Sequence, residues 1–298
     1  MDENDLDYGG RRVEIPVGDL IFDATLAGPD DGELVVLLHG FPQTSWCWRR
    51  QVPVLAAAGL KVLAPDQRGY SPRARPADVE DYRGQHLRAD VLAMADQLGA
   101  ERFHVVGHDW GGAVAWQLAG HHPERIDRLA VLSTPHPAAF AQAVTGSPAG
   151  EASDSAAGDA DQQSRSSYML VFRQEGSEKQ FLADGCAGLR FLYETTGLPG
   201  AEADHYVQVL GDEEALRAAL NWYRAVDVGE VAGMGPITAP TLYIWSTEDP
   251  ALGRTAAEAT AQYVEGPYRF EVLEGIGHWI ADQVPDRLDP LLVDHLTG

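Results

Sequence analysis

The chain has 298 residues, 45% of them hydrophobic, enough to bury the core of one large α/β domain or two small ones. Its formal charge of -23 argues against nucleic acid and anionic membrane as partners, because a polyanion would be repelled rather than steered in. Only Lys61 and Lys179 are lysines; the arginine bias and the alanine content point to a GC-rich bacterial genome, and the acidity fits a salt-adapted surface equally well. The opening "MDENDLDYGG" has no basic n-region or apolar h-region, and no apolar run approaches the ~18 residues of a membrane span. A soluble cytoplasmic protein, monomer or homodimer, is expected.

In chain order, the short β-like runs are Arg11 to Val17, Leu20 to Ala27, Leu34 to His39, Lys61 to Pro65, Phe103 to Gly107 and Ile126 to Ser133. They alternate with helical patterns, which favours a mostly parallel sheet with helices on its faces. Within "DYRGQHLRADVLAMADQLG", Leu87, Val91, Met94 and Leu98 share one apolar helix face that Gly99 ends. After Ser133 the rhythm breaks. From Gly146 to Ser167 the chain is rich in Gly, Ser, Ala and Asp, too poor in apolar residues for a core strand, and reads as a solvated, disordered loop with a mobile gate as the alternative. Helical patterns run from Tyr168 to about Val226. The strand and helix rhythm returns with "TLYIWS", a helix from Thr255 to Tyr263, the strand "RFEVL" and a last helix near Pro285 to Leu296. The economical division is a sheet domain of residues 1–136 and 236–298, interrupted after the sixth strand by a helical insertion of residues 137–235. Cys47 and Cys186 read as reduced thiols, and with no Cys or His at metal-ligand spacing beside them no metal site is expected.

The chemistry concentrates in "VVGHDWGGAV", Val105 to Val114. Gly107, His108, Asp109, Trp110 and Gly111 fit the small-x-nucleophile-x-small pattern of a nucleophile elbow, with a carboxylate where a serine is the usual occupant. A carboxylate can attack an sp³ carbon, opening a strained ring or displacing a leaving group, and the product is an alkyl ester of the enzyme. Cleaving that ester requires water and a general base, commonly a histidine steadied by a second carboxylate. The C-terminal part offers both. His278 lies in the Gly-flanked turn of "LEGIGHWIADQVPDRL", and Asp249 lies just past the strand "TLYIWS", with Glu248 as its nearby rival. The order Asp109, Asp249, His278 is that of nucleophile, acid and histidine in α/β-hydrolases.

Each residue also has a plainer reading: a helix-capping aspartate at position 109, a loop acid before Pro250 at position 249, and a surface-loop histidine at position 278. The coincidence of all three in order and context favours catalysis. His39, His104, His108, His121, His122, His136 and His205 read, as single residues, as structural or solvent-exposed.

Four segments resemble the α/β-hydrolase epoxide hydrolases, near relatives of the haloalkane dehalogenases: "HGFPQTSWCWRRQVP" from His39 to Pro53, "DQRGYS" from Asp66 to Ser71, "GHDWGG" from Gly107 to Gly112, and "EGIGHW" from Glu274 to Trp279. The resemblance implies an α/β-hydrolase fold, a mostly parallel eight-stranded sheet with a helical lid. It implies that the loop His39, Gly40, Phe41, Pro42 supplies half of an oxyanion hole, with a cis bond before Pro42, and that the N–H groups of Phe41 and Trp110 face the oxyanion of the Asp109 ester. Gln43 departs from the glutamate that many relatives carry. In the insertion, "SSYMLVFRQEG" and "LNWYRAVD" resemble the segments bearing two lid tyrosines and align them with Tyr168 and Tyr223, which would polarise an epoxide oxygen. Aromatic packing is the plainer reading for both, and it is the reading taken for Tyr193 and Tyr206.

The implied activity is hydrolysis of a small-molecule epoxide by water to a vicinal diol, with no metal or organic cofactor. A haloalkane or haloacetate dehalogenase using the same Asp109, Asp249 and His278 is the first alternative. Phe41, where many dehalogenases place a halide-binding asparagine, and the tyrosine pair count against it. A non-catalytic α/β-hydrolase-like binding protein is the second alternative.

Overall fold

Leu34–Leu38 (β3) and Phe103–His108 (β5) are buried at every position, as strands covered on both faces must be, with no side left over for water. They form the centre of the sheet in the computed structural model, which describes residues 9–146, 160–198, 200–226, 231 and 233–298. The remaining strands are Arg11–Val17 (β1), Leu20–Ala27 (β2), Lys61–Pro65 (β4), Ile126–Leu132 (β6), Thr241–Ser246 (β7) and Tyr268–Leu273 (β8). The 8-stranded sheet runs β1-β2-β4-β3-β5-β6-β7-β8. β2 pairs antiparallel with both β1 and β4; all other pairs are parallel. Strand positions match the expected runs to within a residue at each end, with His39 and Ser133 just outside β3 and β6 and His108 inside β5.

The helices in order are Gln51–Ala57 (α1), Gly84–Gln97 (α2), Trp110–His121 (α3), Pro137–Thr145 (α4), Ala160–Arg165 (α5), Tyr168–Phe172 (α6), Ser177–Thr195 (α7, broken at Ala183 to Cys186), Gly200–Leu210 (α8), Glu213–Arg224 (α9), Arg254–Ala259 (α10), Ile280–Gln283 (α11) and Pro285–Thr297 (α12). α1 packs with α12, α2 with α3, and α3 lies on β5 and β6. The expected face of α2 buries Leu87, Val91 and Met94, and Gly99 follows the helix at φ 77°. Among the described residues, the chain between β6 and β7 forms the helices α4 to α9 and no strand. No helix among the described residues is long and apolar enough to cross a membrane.

The expectation of a structureless stretch from Gly146 to Ser167 needs correcting in its second half. Residues 147–159 lie outside the described residues, but Ala160–Arg165 forms α5, and its Gln162 is fully buried. Composition misled here because a polar side chain can be buried wherever its amide finds matching partners.

The strand order sets the place for a site. β3 is flanked by β4 on one side and β5 on the other, so the winding reverses there, and ligands collect beyond the carboxyl ends of strands at such a reversal. The segments His39 to Pro42, Asp109, Ser133 and Thr134, Asp249 and His278 all follow the carboxyl ends of β3, β5, β6, β7 and β8.

Candidate active site

Asp109 stands between β5 and α3 at φ 52° and ψ -121°, a conformation that costs a non-glycine residue about 1–3 kcal/mol and must be imposed by its surroundings. Two close approaches impose it. A Cβ on Gly107 would collide with the Gly111 carbonyl, and a Cβ on Gly40 would collide with the Asp109 side chain. The Asp109 carbonyl accepts from Thr134 Oγ1 at 2.7 Å and from the Ala113 amide at 3.1 Å, which ties the turn to β6 and starts the helix.

The carboxylate of Asp109 does not cap α3. Its Oδ1 accepts the Phe41 N–H at 2.8 Å, and the Trp110 N–H also donates to it. The two amides expected to face an oxyanion therefore already hold the resting carboxylate. The Phe41-Pro42 bond is cis. Below this loop, the Gln67 amide donates to His39 Nε2 at 3.2 Å, so His39 Nδ1 is the donor to the Gly40 carbonyl at 3.0 Å. Both ring nitrogens of His39 are thus spent on backbone, and burial keeps the ring neutral. Its place is under the loop rather than on the reacting face.

His278 is buried, and its Nδ1 donates to Asp249 Oδ2 at 2.8 Å while Nε2 lies 3.6 Å from Asp109 Oδ2. Asp249 is fully buried and divides its work: Oδ1 accepts the N–H groups of Ala251 at 2.8 Å and Leu252 at 3.1 Å, leaving Oδ2 for the imidazole. Glu248 points to solvent. Burial opposes the charge of His278, but Asp249 and the hydrogen bond and charge of Asp109 outweigh it and raise the imidazole to about 10. Burial likewise opposes the charge of Asp109, yet the hydrogen bond and charge of His278 hold that carboxyl below its ordinary value.

The tyrosines come down from the helical side. α9 opens on Asp212, whose carboxylate accepts the Ala215 N–H at 2.8 Å, and places Leu216, Ala219, Leu220 and Tyr223 on its buried face at helical spacing. The ring of Tyr223 stands edge-on to Trp110 at 5.0 Å and to Phe41 at 5.2 Å, the two residues whose amides hold Asp109. Tyr168 opens α6 with its ring 6.3 Å from that of Tyr223, and the two phenols are hydrogen-bonded. Burial first, then nearby negative charge, raises both phenols well above the ordinary value and keeps them protonated as donors. Phe172 packs on Phe41, Tyr168 and Tyr223 at 5.2, 5.1 and 4.9 Å and closes one side of the cluster.

Tyr193 and Tyr206 lie in the fold as packing residues. The Tyr193 hydroxyl donates to the Pro42 carbonyl at 2.5 Å, and Tyr206 accepts from Gln43 Nε2 at 3.2 Å. The amide at Gln43 has a local reason: Nε2 also donates to Asp282 Oδ2 at 2.7 Å, and Asp282 is in turn paired with Arg49 at 2.5 Å, so a glutamate there would set two carboxylates against each other. Cys47 and Cys186 are free thiols. Among the described residues no group of three or more His, Cys, Asp or Glu is arranged to hold a metal ion.

Reading residues singly missed several supports. His108, beside Asp109, donates from Nε2 to the His278 carbonyl at 2.8 Å, and Ser133 Oγ donates to the same oxygen at 3.2 Å. Burial, then the charge of His278, pushes the His108 imidazole down to about 4, so it remains a neutral donor. The one available signal was its place inside the elbow motif.

A fold with this sheet order and a nucleophile elbow at the reversal is an α/β-hydrolase, and the chain belongs to the α/β hydrolase fold family, whose family model matches residues 33–284. Over 310 residues the chain is 34% identical to Epoxide hydrolase A of Mycobacterium tuberculosis, covering 91% of this chain and 92% of that protein. It is also 34% identical to the AB hydrolase superfamily protein YfhM of Bacillus subtilis, covering 91% and 93%. The crystal structure of Epoxide Hydrolase A from Mycobacterium thermoresistibile matches with a TM-score of 0.82 at 29% identity, over 97% of this chain and 98% of that one.

Proposed function

We propose that this protein is an epoxide hydrolase that works through an ester on Asp109. One observation carries the reading: a carboxylate, not a hydroxyl, occupies the elbow, with a histidine and acid on one side and two protonated phenols on the other. The names of the relatives point the same way.

With Oδ1 of Asp109 held by the Phe41 amide, Oδ2 is the atom that attacks a ring carbon. The C–O bond of the epoxide breaks, and its electron pair goes to the oxygen, which takes a proton from Tyr168 or Tyr223. Esterification removes the charge of Asp109, one of the causes that raise His278, so the imidazole becomes easier to deprotonate at the stage where a base is required. The imidazolium gives its proton to solvent, from which the tyrosinate regains its own; His278 Nε2, now neutral, takes a proton from water, and the resulting hydroxide adds to the carboxyl carbon of Asp109. The Phe41 and Trp110 amides hold the tetrahedral oxyanion. Collapse breaks the bond between the carboxyl carbon and the alkyl oxygen; the departing alkoxide takes the proton of the new Asp109 carboxylic acid and leaves as the diol, with Asp109 again a carboxylate and His278 again protonated.

The same reading takes residues 137–235 as a helical cap on a core of residues 1–136 and 236–298, supported by the helices between β6 and β7, and places the protein in the cytoplasm with a small epoxide and water as its partners. The test is diol formation from styrene oxide and a panel of terminal and internal epoxides, beside halide release from haloalkanes and haloacetate. Diol without halide is expected; halide without diol would make the protein a dehalogenase and the tyrosines packing residues.

A further inference from the structure

α5 makes contacts that the proposed chemistry has not used. The buried amide of Gln162 is matched at both ends to the loop after β7: Nε2 donates to the Ala251 carbonyl at 2.9 Å, and Oε1 accepts the Gly253 N–H at 2.8 Å. One helical turn on, Arg165 Nη1 donates to the carbonyl of Asp249 itself at 2.5 Å, while its Nε pairs with Asp161 at 2.7 Å. The loop otherwise relies on the turn made by Asp249 Oδ1 and on Trp245 Nε1, which donates to the Leu252 carbonyl at 3.0 Å. These are backbone groups in a buried setting, where losing a partner is expensive and the loop would shift to recover one.

We infer that Gln162 and Arg165 are positioning residues: α5 clasps the Asp249 loop so that Oδ2 stays aimed at His278 Nδ1, and through that aim they set the rate at which the Asp109 ester is hydrolysed. The inference rests on the reading of Asp109 as nucleophile and of His278 with Asp249 as the pair that activates water. Ester formation depends on other supports. Asp109 is held by the Phe41 and Trp110 amides, and the Tyr168 ring is held by Phe172 and Tyr223. A weakened clasp therefore slows the second half-reaction and spares the first.

Three substitutions in the full chain test this. Gln162→Met keeps the volume and deletes the two hydrogen bonds to the loop, together with the one that Nε2 donates to Ser166 Oγ at 2.9 Å. Arg165→Met removes the bond to the Asp249 carbonyl at a half-buried position that tolerates change more readily, and Arg165→Lys keeps a donor. Rapid quenching followed by intact-mass measurement, with epoxides from the same panel, separates ester formation from ester hydrolysis. In both methionine variants the ester should form at the wild-type rate and be hydrolysed about tenfold more slowly, so that the alkylated enzyme accumulates, with Arg165→Lys restoring most of the loss. Unchanged hydrolysis in both methionine variants, or equal slowing of the two steps together with a lower Tm, overturns the clasp. A wild-type chain that forms neither adduct nor diol across the panel overturns the nucleophile reading itself, and the clasp with it.

Discussion

The carboxylate side of the site and its phenol side are held by different means. Asp109, Asp249 and His278 hang from strand ends, and their positions follow from backbone: a left-handed elbow residue, an Asx-type turn, and a carbonyl at His278 gripped by His108 and Ser133. Tyr168 and Tyr223 are placed by rings packed on rings, with Phe172, Phe41 and Trp110 as their walls. Strand ends in a sheet have little freedom, whereas aromatic packing can re-form around a changed neighbour. Chemistry common to the fold belongs on the first kind of support, and adaptation to a particular substrate belongs on the second.

Substitutions probe that contrast with graded effects. Asp109→Ala should lower turnover on the order of 10⁶-fold, as loss of a nucleophile does, read as diol formed per enzyme. His278→Gln should slow turnover on the order of 10⁴-fold yet leave an alkylated enzyme detectable by intact mass; absence of that adduct would remove His278 from the hydrolytic step. Tyr223→Phe should cost about 10²-fold through slower ester formation, and if the phenols act as a pair, the double change with Tyr168→Phe should cost less than the product of the single ones. An unchanged rate in Tyr223→Phe would make that side of the site a wall and nothing more.

The smallest effect concerns pH. His278 is raised to about 10 from 6.5, so its contribution to stability is fully present below pH 6.5 and is lost as pH rises through about 10. Asp109 is lowered from 3.8, so its contribution is present above pH 3.8 and is lost as pH falls through the still lower folded value. Asp109→Asn removes one of the two carboxylates, and His278 should then titrate at lower pH by NMR, with the alkaline fall in Tm moving down alongside it. A His278 titration that stays where it was would mean that Asp249 alone sets it.

Much of this was legible in the sequence because the informative turns are local. Glycines around Asp109 and His278 and a strand end before Asp249 reveal those positions within a dozen residues, and β-rich runs give the strands. The supports were not legible, since they join distant segments. Gln162 sits in a stretch whose composition reads as loop, and its partners Ala251 and Gly253 are far along the chain. His39 opens a loop that resembles an oxyanion segment and reads by itself as structural or exposed, but only the fold shows its ring turned beneath that loop toward Gln67.

The pairing of Arg49 with Asp282 has a consequence for ionic strength. The 45 acidic residues of this chain outnumber its 22 lysines and arginines, and a chain charged to -23 repels itself until dissolved salt screens it. The side chain of Asp282 is fully covered and that of Arg49 nearly so, and mobile ions do not enter such a place. Asp282 stands just beyond His278, at the start of the C-terminal helices. Brine and dilute buffer should therefore differ in how tightly the outer shell of the protein holds together, while the segment that carries His278 feels the same local field in both.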